Sequence, residues 1–371
     1  MFGYFIHTGG YMSDSVYHEL REVLDTIPNG FPATESGVEI RILKKIFSPE
    51  EARITMQLKL HYETVDVIAE RVGMEKEALK AKLLDMRDKG QIFGAVIGGT
   101  ALFKMMPFVF GIYEMQLNRL DNEFIDMTER YWNEAFGKDF YLVGPSILKV
   151  LPIEKEIPAG TEIAPYESLS KIIDGAKAWA VGDCICKKER AMKGHRCDRP
   201  MEVCMAFAPI ENYFNGYFWG RPITKEEAFK ILNQAEEAGL VHMVTNVREG
   251  QYYVCNCCSC CCGMLKGINE FGIKGAVDQS RFVAVVDEGE CTSCGACVDR
   301  CQVRAIDLGD AAMVNDRCIG CGLCVSSCPS GAIKMRVRDE GDVLYVPKNE
   351  REWYKLRAEA RGAGDGYKKI L

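Results

Sequence analysis

The chain has 371 residues, 47% of them hydrophobic and 27% charged, a composition that predicts a soluble globular protein with two or three domains. Its formal net charge of −7 argues against the strongly basic surface that nucleic acid or an acidic membrane recruits. Eighteen cysteines are the exception: none precedes Cys184, and they then fall in sets of four, six, four and four.

The opening, MFGYFIHTGGYM, has neither the basic start nor the apolar core of a secretory signal, and Met12 offers a second reading of where translation begins. A large chain without such a signal is expected in the cytoplasm and not as a disulfide scaffold. Idle reduced thiols in this number would invite oxidation, so metal is the expected use of the cysteines.

Residues 1–39 read as an N-terminal extension. Ser48-Pro49-Glu50-Glu51 then predicts a helix start, with a capping hydroxyl, a proline in the first turn and a Glu three residues on. A second helix is expected from Thr64, with Val65, Ile68, Ala69 and Val72 on one face and Gly73 at its end. A third carries Leu79, Leu83 and Met86 and closes at Gly90. Residues 91–113 contain one charge, Lys104, but Gly98-Gly99 divides them into a hairpin and Pro107 suits a new helix, so no membrane span is expected. This order resembles the winged-helix fold over roughly residues 40–105. Winged helices often bind DNA. Residues 40–110, however, carry 12 Lys and Arg against 9 Asp and Glu, and the third helix mixes both signs, so DNA binding is disfavoured. Tyr113, Leu117, Leu120, Phe124, Met127 and Tyr131 predict one long amphipathic helix, for core packing or a homodimer seam, that completes a domain over 40–138.

The region 139–278 reads as an α/β, cysteine-rich domain. FYLVGPSILKVLPI from Phe140 predicts strands, followed by a helix around Ser168–Ala178. Cys184 and Cys186 would share a face of a strand, and Cys197 and Cys204 follow in a C-x-C-x10-C-x6-C pattern that is neither the commonest iron–sulfur nor the commonest zinc spacing. His195 is an alternative ligand. Thr224–Glu227 starts another capped helix, ending at Gly239. The strands LVHMVTNV and QYYVCNC then deliver Cys255, Cys257, Cys258, Cys260, Cys261 and Cys262, six thiols in eight positions. Neighbouring cysteines point apart, so one cubane cannot use all six. The ten middle cysteines are expected to hold one or two further iron–sulfur clusters, with zinc as the alternative. Cys261-Cys262-Gly263 is similar to the Cys-Cys-Gly element of heterodisulfide-reductase-type catalytic subunits, without that family's second copy.

In residues 279–336, C291-TS-C294-GA-C297-VDR-C301 repeats 27 residues later as C318-IG-C321-GL-C324-VSS-C328. Gly295 matches Gly322, Ala305 matches Ala332 and Ile306 matches Ile333. The duplication resembles bacterial two-cluster ferredoxins. That resemblance implies a ferredoxin-like fold with two [4Fe–4S] clusters, one on Cys291, Cys294, Cys297 and Cys328, the other on Cys318, Cys321, Cys324 and Cys301. Gln302 departs from the family, which usually has proline there. Residues 337–371 read as a charged tail with a solvated helix after Asn349.

The fold class expected is therefore α+β multidomain. The resemblance implies an iron–sulfur electron-transfer protein, a subunit of or dedicated donor to an anaerobic cytoplasmic oxidoreductase, with no catalytic residue assigned. Electrons would enter or leave by the ferredoxin module and reach the middle cysteines. The alternatives are a redox-sensing winged-helix regulator and a reductase whose Cys-rich block carries a catalytic cluster.

Overall fold

The computed structural model describes residues 11–216 and 219–371, without the side chains of residues 11–13, 138 and 365. The readings of the opening segment, Met12 as a start included, fall outside that description. The chain divides into two compact units, one comprising the residues up to Phe140 together with Ala358–Leu371, the other Tyr141–Arg357.

In the first unit, α1 (Tyr11–Thr26) and α2 (Val38–Ile46) precede α3 (Pro49–Met56). The start of α3 is a capping box: Ser48 Oγ accepts from the Glu51 N–H at 3.3 Å, and the Glu51 carboxylate accepts from the Ser48 N–H at 2.7 Å. A two-residue strand, β1 (Glu63–Thr64), leads into α4 (Val65–Val72), which stops at left-handed Gly73. Helix α5 (Lys76–Asp88) buries Leu79, Leu83 and Met86. Strands β2 (Phe93–Ile97) and β3 (Thr100–Lys104) form a hairpin, with sheet order β1-β3-β2. Its turn places both Gly98 and Gly99 at positive φ, the requirement that glycine meets without a Cβ clash.

The apolar seam between Tyr113 and Tyr131 does not form one long helix. Past Pro107 the backbone is extended at Val109 and Phe110, and only a single tight turn forms at Glu114–Gln116. Helix α6 (Asn122–Tyr131) starts afresh where Asp121 accepts from the Phe124 N–H at 2.8 Å. Side chains compete with the helix for backbone groups. Gly111 N–H donates to Glu114, and Gln116 donates to the Gly90 and Ile112 carbonyls. Burial pushes the Glu114 carboxyl up to about 8. Leu117, Phe124, Met127 and Tyr131 are nevertheless buried. Helix α7 (Gly137–Leu142) follows, so Phe140–Leu142 are helical and not a strand. Phe140 stacks one turn on from Phe136 at 4.9 Å, a contact that only the helical period provides.

The second unit is built on six strands: β4 (Leu148–Leu151), β5 (Ala178–Asp183), β6 (Glu202–Ala208), β7 (Arg221–Ile223), β8 (Val241–Thr245) and β9 (Tyr253–Cys257). Their order is β4-β8-β9-β6-β5-β7 and every ladder is antiparallel, so the cysteine-rich region is α+β in layout and not α/β. Helices α8 (Leu169–Gly175) and α10 (Lys225–Glu237), capped by Ser168 and Thr224, bury Leu169, Ile173, Ala228 and Ile231 with Val181, Val203 and Val254 of the sheet. Helix α9 (Ile185–Met192) follows β5, and α11 (Gly263–Asn269) follows β9.

The C-terminal part of this unit repeats one motif. Strand β10 (Phe282–Val286) pairs with β13 (Ile333–Val337), and β11 (Ile306–Leu308) with β12 (Ala312–Val314); α12 (Ala296–Arg300) and α13 (Leu323–Ser326) sit at equivalent places. The tail is not a solvated end. In α14 (Glu350–Ala360) Trp353, Tyr354 and Arg357 are buried, and Trp353 Nε1 donates to Ser146 O at 2.9 Å. Helix α15 (Gly364–Ile370) belongs to the first unit, where Ile370 O accepts from the Leu60 N–H at 2.8 Å. Among the described residues, no helix is long and apolar enough to cross a membrane.

Glu51, 4% exposed, also accepts from Lys89 Nζ at 2.8 Å and Gln91 Nε2 at 3.0 Å, tying α3 to the end of α5. Burial opposes its ionisation, but the bonds from Lys89, Ser48 and Gln91 outweigh it and bring the carboxyl to about 2. Its folded value is thus depressed. The stability it contributes is complete above the unfolded value of 4.5 and is lost as pH falls towards 2. Glu51→Ala is expected to cost about 1.5–3 kcal/mol near neutral pH, with the deficit shrinking below pH 4, as read by thermal unfolding.

Candidate metal centres

Strand β9 places Cys255 and Cys257 two residues apart, on one face, and ends into the turn that holds Cys258, Ser259, Cys260 and Cys261. Cys197, in the connection from α9 to β6, meets that turn. The sulfurs of Cys197, Cys258, Cys260 and Cys261 all lie within 4.8 Å of one another. Four of the separations are 3.9 Å (197–258), 3.7 Å (197–260), 3.4 Å (258–260) and 3.7 Å (260–261). Metal–sulfur bonds of about 2.3 Å in a regular tetrahedron give edges of about 3.8 Å. This donor set fits one tetrahedral ion without His195, which is not part of it. All eighteen thiols are free, so no cystine competes for these sulfurs.

The turn is charged accordingly. A bond from Cys261 brings the Cys258 thiol down to about 5, helped by Lys187 and Arg199. Burial pushes Cys260 up to about 11, and the bond to Cys258 raises Cys261. Arg199 Nη1 lies 3.6 Å from Cys260 Sγ. Lys187, 1% exposed, donates to the Pro200 carbonyl at 2.6 Å and, among the described residues, pairs with no carboxylate.

The other six middle cysteines lie apart from this group. Cys184 is not on a strand with Cys186: β5 ends at Asp183, Cys184 is the N-cap of α9 and Cys186 lies in its first turn. Cys204 is in β6, and Cys262 is the N-cap of α11.

In the repeat region the cysteines gather across the two blocks. The Cys297 thiol, raised by burial, feels Cys294 and Cys328. Cys324, also raised by burial, feels Cys321, Cys318 and Cys301. Burial pushes Cys321 up to about 12, whereas Cys294 is exposed. Against a slight cost of burial, bonds from Ser330, Ile333 and Ala332 hold Cys328 below the ordinary thiol value. Backbone donors point at other sulfurs, Ala305 N–H at Cys301 (3.2 Å) and Ala312 N–H at Cys291 (3.4 Å). These eight sulfurs form no group within 4.8 Å, so they stand farther apart than the four of the turn. Such spacing, with amide donors around it, suits centres larger than one ion. Gly320 is required here, because a Cβ would meet Phe282 O at 2.0 Å.

Sequence reasoning missed the partner of Gln302. This residue, 2% exposed, follows Cys301, and its Oε1 accepts from Ser259 N–H (2.9 Å) and Ser259 Oγ (3.1 Å). The residue that departs from the family pattern thus fastens the repeat region to the turn between Cys258 and Cys260. Its mismatch was the one signal available. Lys187 and Arg199 gave none, since nothing in CKKER or DRP distinguishes a cation held against sulfur from a solvated one.

Gln302→Ala would leave both Ser259 donors without their acceptor. The expected cost is about 1–3 kcal/mol in anaerobic denaturant unfolding, with the visible absorbance of the repeat region unchanged because no cysteine is touched.

Residues 284–335 match a family model described as a 4Fe-4S dicluster domain, and residues 317–359 match a second of the same description. Neither the curated proteins nor the solved structures contain a match to the chain. The C-terminal part of the chain is accordingly a ferredoxin-type 4Fe–4S dicluster region.

Proposed function

We propose that the chain is an electron-transfer subunit of, or dedicated donor to, an anaerobic cytoplasmic oxidoreductase, with the dicluster region and the middle cysteines working as one assembly. [4Fe–4S] clusters, when bound, accept and release single electrons. The residues of this chain divide the remaining work. Cys294 is exposed and opens one cysteine set to a redox partner, with Leu308 within 3.6 Å of the Cβ position of Gly295 beside it. In the other set Cys324 is buried and Cys301, Cys318 and Cys321 are half-buried. The observation that carries the reading is the Gln302–Ser259 tie, which fixes the segment after Cys301 against the four-sulfur turn.

The first unit, read as winged-helix-like from its element order, serves here as a structural or docking module. Its α5 face supports this over DNA binding. Lys76, Lys80, Lys82, Arg87 and Lys89 are each paired with a carboxylate, so a phosphate backbone would have to displace five partners.

The test is reductive titration of anaerobically purified protein, followed by electron paramagnetic resonance and by a gel shift at low salt. Reversible one-electron signals with no retardation of DNA are expected. A salt-sensitive shift that changes with oxidation state would establish the regulator instead, and signals that never appear on reduction would remove electron transfer altogether.

A further inference from the structure

Six cysteines are left over once the four-sulfur turn is complete, and they form a circuit of their own. Cys184 feels both Cys186 and Cys204 as neighbours. Cys204 feels Cys255, Cys255 feels Cys257, and Cys257 feels Cys262. The circuit closes where Cys186 feels Cys262. Four separate elements build it: the β5–α9 junction, β6, β9 and the start of α11. The register β6–β9, with Met205 opposite Val254, sets Cys204 across from Cys255.

The surroundings are those of an anion held in the interior. The backbone of Lys187 favours the ionised form of Cys184, that of Gly263 favours Cys186 and that of Leu265 favours Cys262, with no capping hydrogen bond closed at Cys184 or Cys262. Lys187, buried, acts on Cys184 as well as on Cys258. Six sulfurs also exceed what one tetrahedral ion takes, and no three of them contract into a group within 4.8 Å.

We propose that Cys184, Cys186, Cys204, Cys255, Cys257 and Cys262 form a separate site for a polynuclear iron–sulfur cluster, distinct from the single-ion site at Cys197, Cys258, Cys260 and Cys261. This deepens the electron-transfer reading by naming the centre in the middle region that exchanges electrons. It leaves the four-sulfur turn a holding role, since one tetrahedral ion there fastens the turn that Gln302 grips.

The experiment is a count of iron, zinc and acid-labile sulfide on the full chain, purified or reconstituted without oxygen. Two cubanes hold about eight irons and eight sulfides, and both are expected in excess of that. Cys204→Ser with Cys255→Ser should lose the excess and keep the dicluster share; Cys258→Ser with Cys261→Ser should keep it. Cys186→Ala, on the half-buried first turn of α9, decides the matter if the strand variant fails to fold, as judged by loss of the dicluster absorbance. No excess in the wild-type chain, zinc in place of sulfide-bearing iron, or an excess that disappears with Cys258 and Cys261 would each overturn the proposal. None of those results touches the reversible signals of the dicluster region, so this failure is separable from failure of the electron-transfer reading.

Discussion

Cysteinate sulfur brought into a protein interior must be compensated on the spot. A buried charge costs several kcal/mol unless hydrogen bonds and countercharge meet it. Much of the second unit follows from that constraint. Several of its cysteines sit at junctions where a helix begins, close to backbone N–H groups that lack a helical partner. Cys184 and Cys262 occupy the N-cap positions of α9 and α11, where the amides of Lys187 and Leu265 favour the ionised sulfur without closing a capping hydrogen bond. The repeat region uses the same device, with Ala305 and Ala312 donating to Cys301 and Cys291.

Cation placement completes the compensation. Lys187 and Arg199 lie near the two ends of the β5–β6 connection and both act on Cys258. Among the described residues neither pairs with a carboxylate, unlike the cations of α5 in the first unit. The contrast separates cations that pair with carboxylates from two that act on sulfur.

What could be read from the sequence was local. The Ser48 capping box, the Gly98-Gly99 turn, the helix ending at Gly73 and the 27-residue repeat each depend on residues within a few positions of one another, and all are found in the structure. The misreadings share a different cause. Tyr113–Tyr131 has helical periodicity, but Glu114, Gln116 and Asp121 bind backbone groups and interrupt it. Phe140–Leu142 looks like a strand until its aromatic neighbours one turn back are placed. The charged tail looked solvated because Arg357 reads as a surface residue. It is in fact fully buried, bonded to the Val143 and Pro145 carbonyls. The division of the ten middle cysteines was likewise illegible, since Cys197 joins Cys258 across 61 positions of chain.

The repeat is asymmetric where its two blocks end. Both end on a cysteine, yet only the second is followed by proline. Pro329 is exposed. Gln302, at the equivalent place, is buried against the cysteine-rich turn and accepts two hydrogen bonds from Ser259. Proline has no side-chain acceptor, so a proline at 302 would leave the Ser259 N–H and hydroxyl facing a wall without a partner. Gln302 donates in turn to Arg300 O, and its own carbonyl accepts from Asn269. One residue thereby links α12, α11 and the sulfur turn. The departure is thus what packs the dicluster region against the cysteine-rich turn.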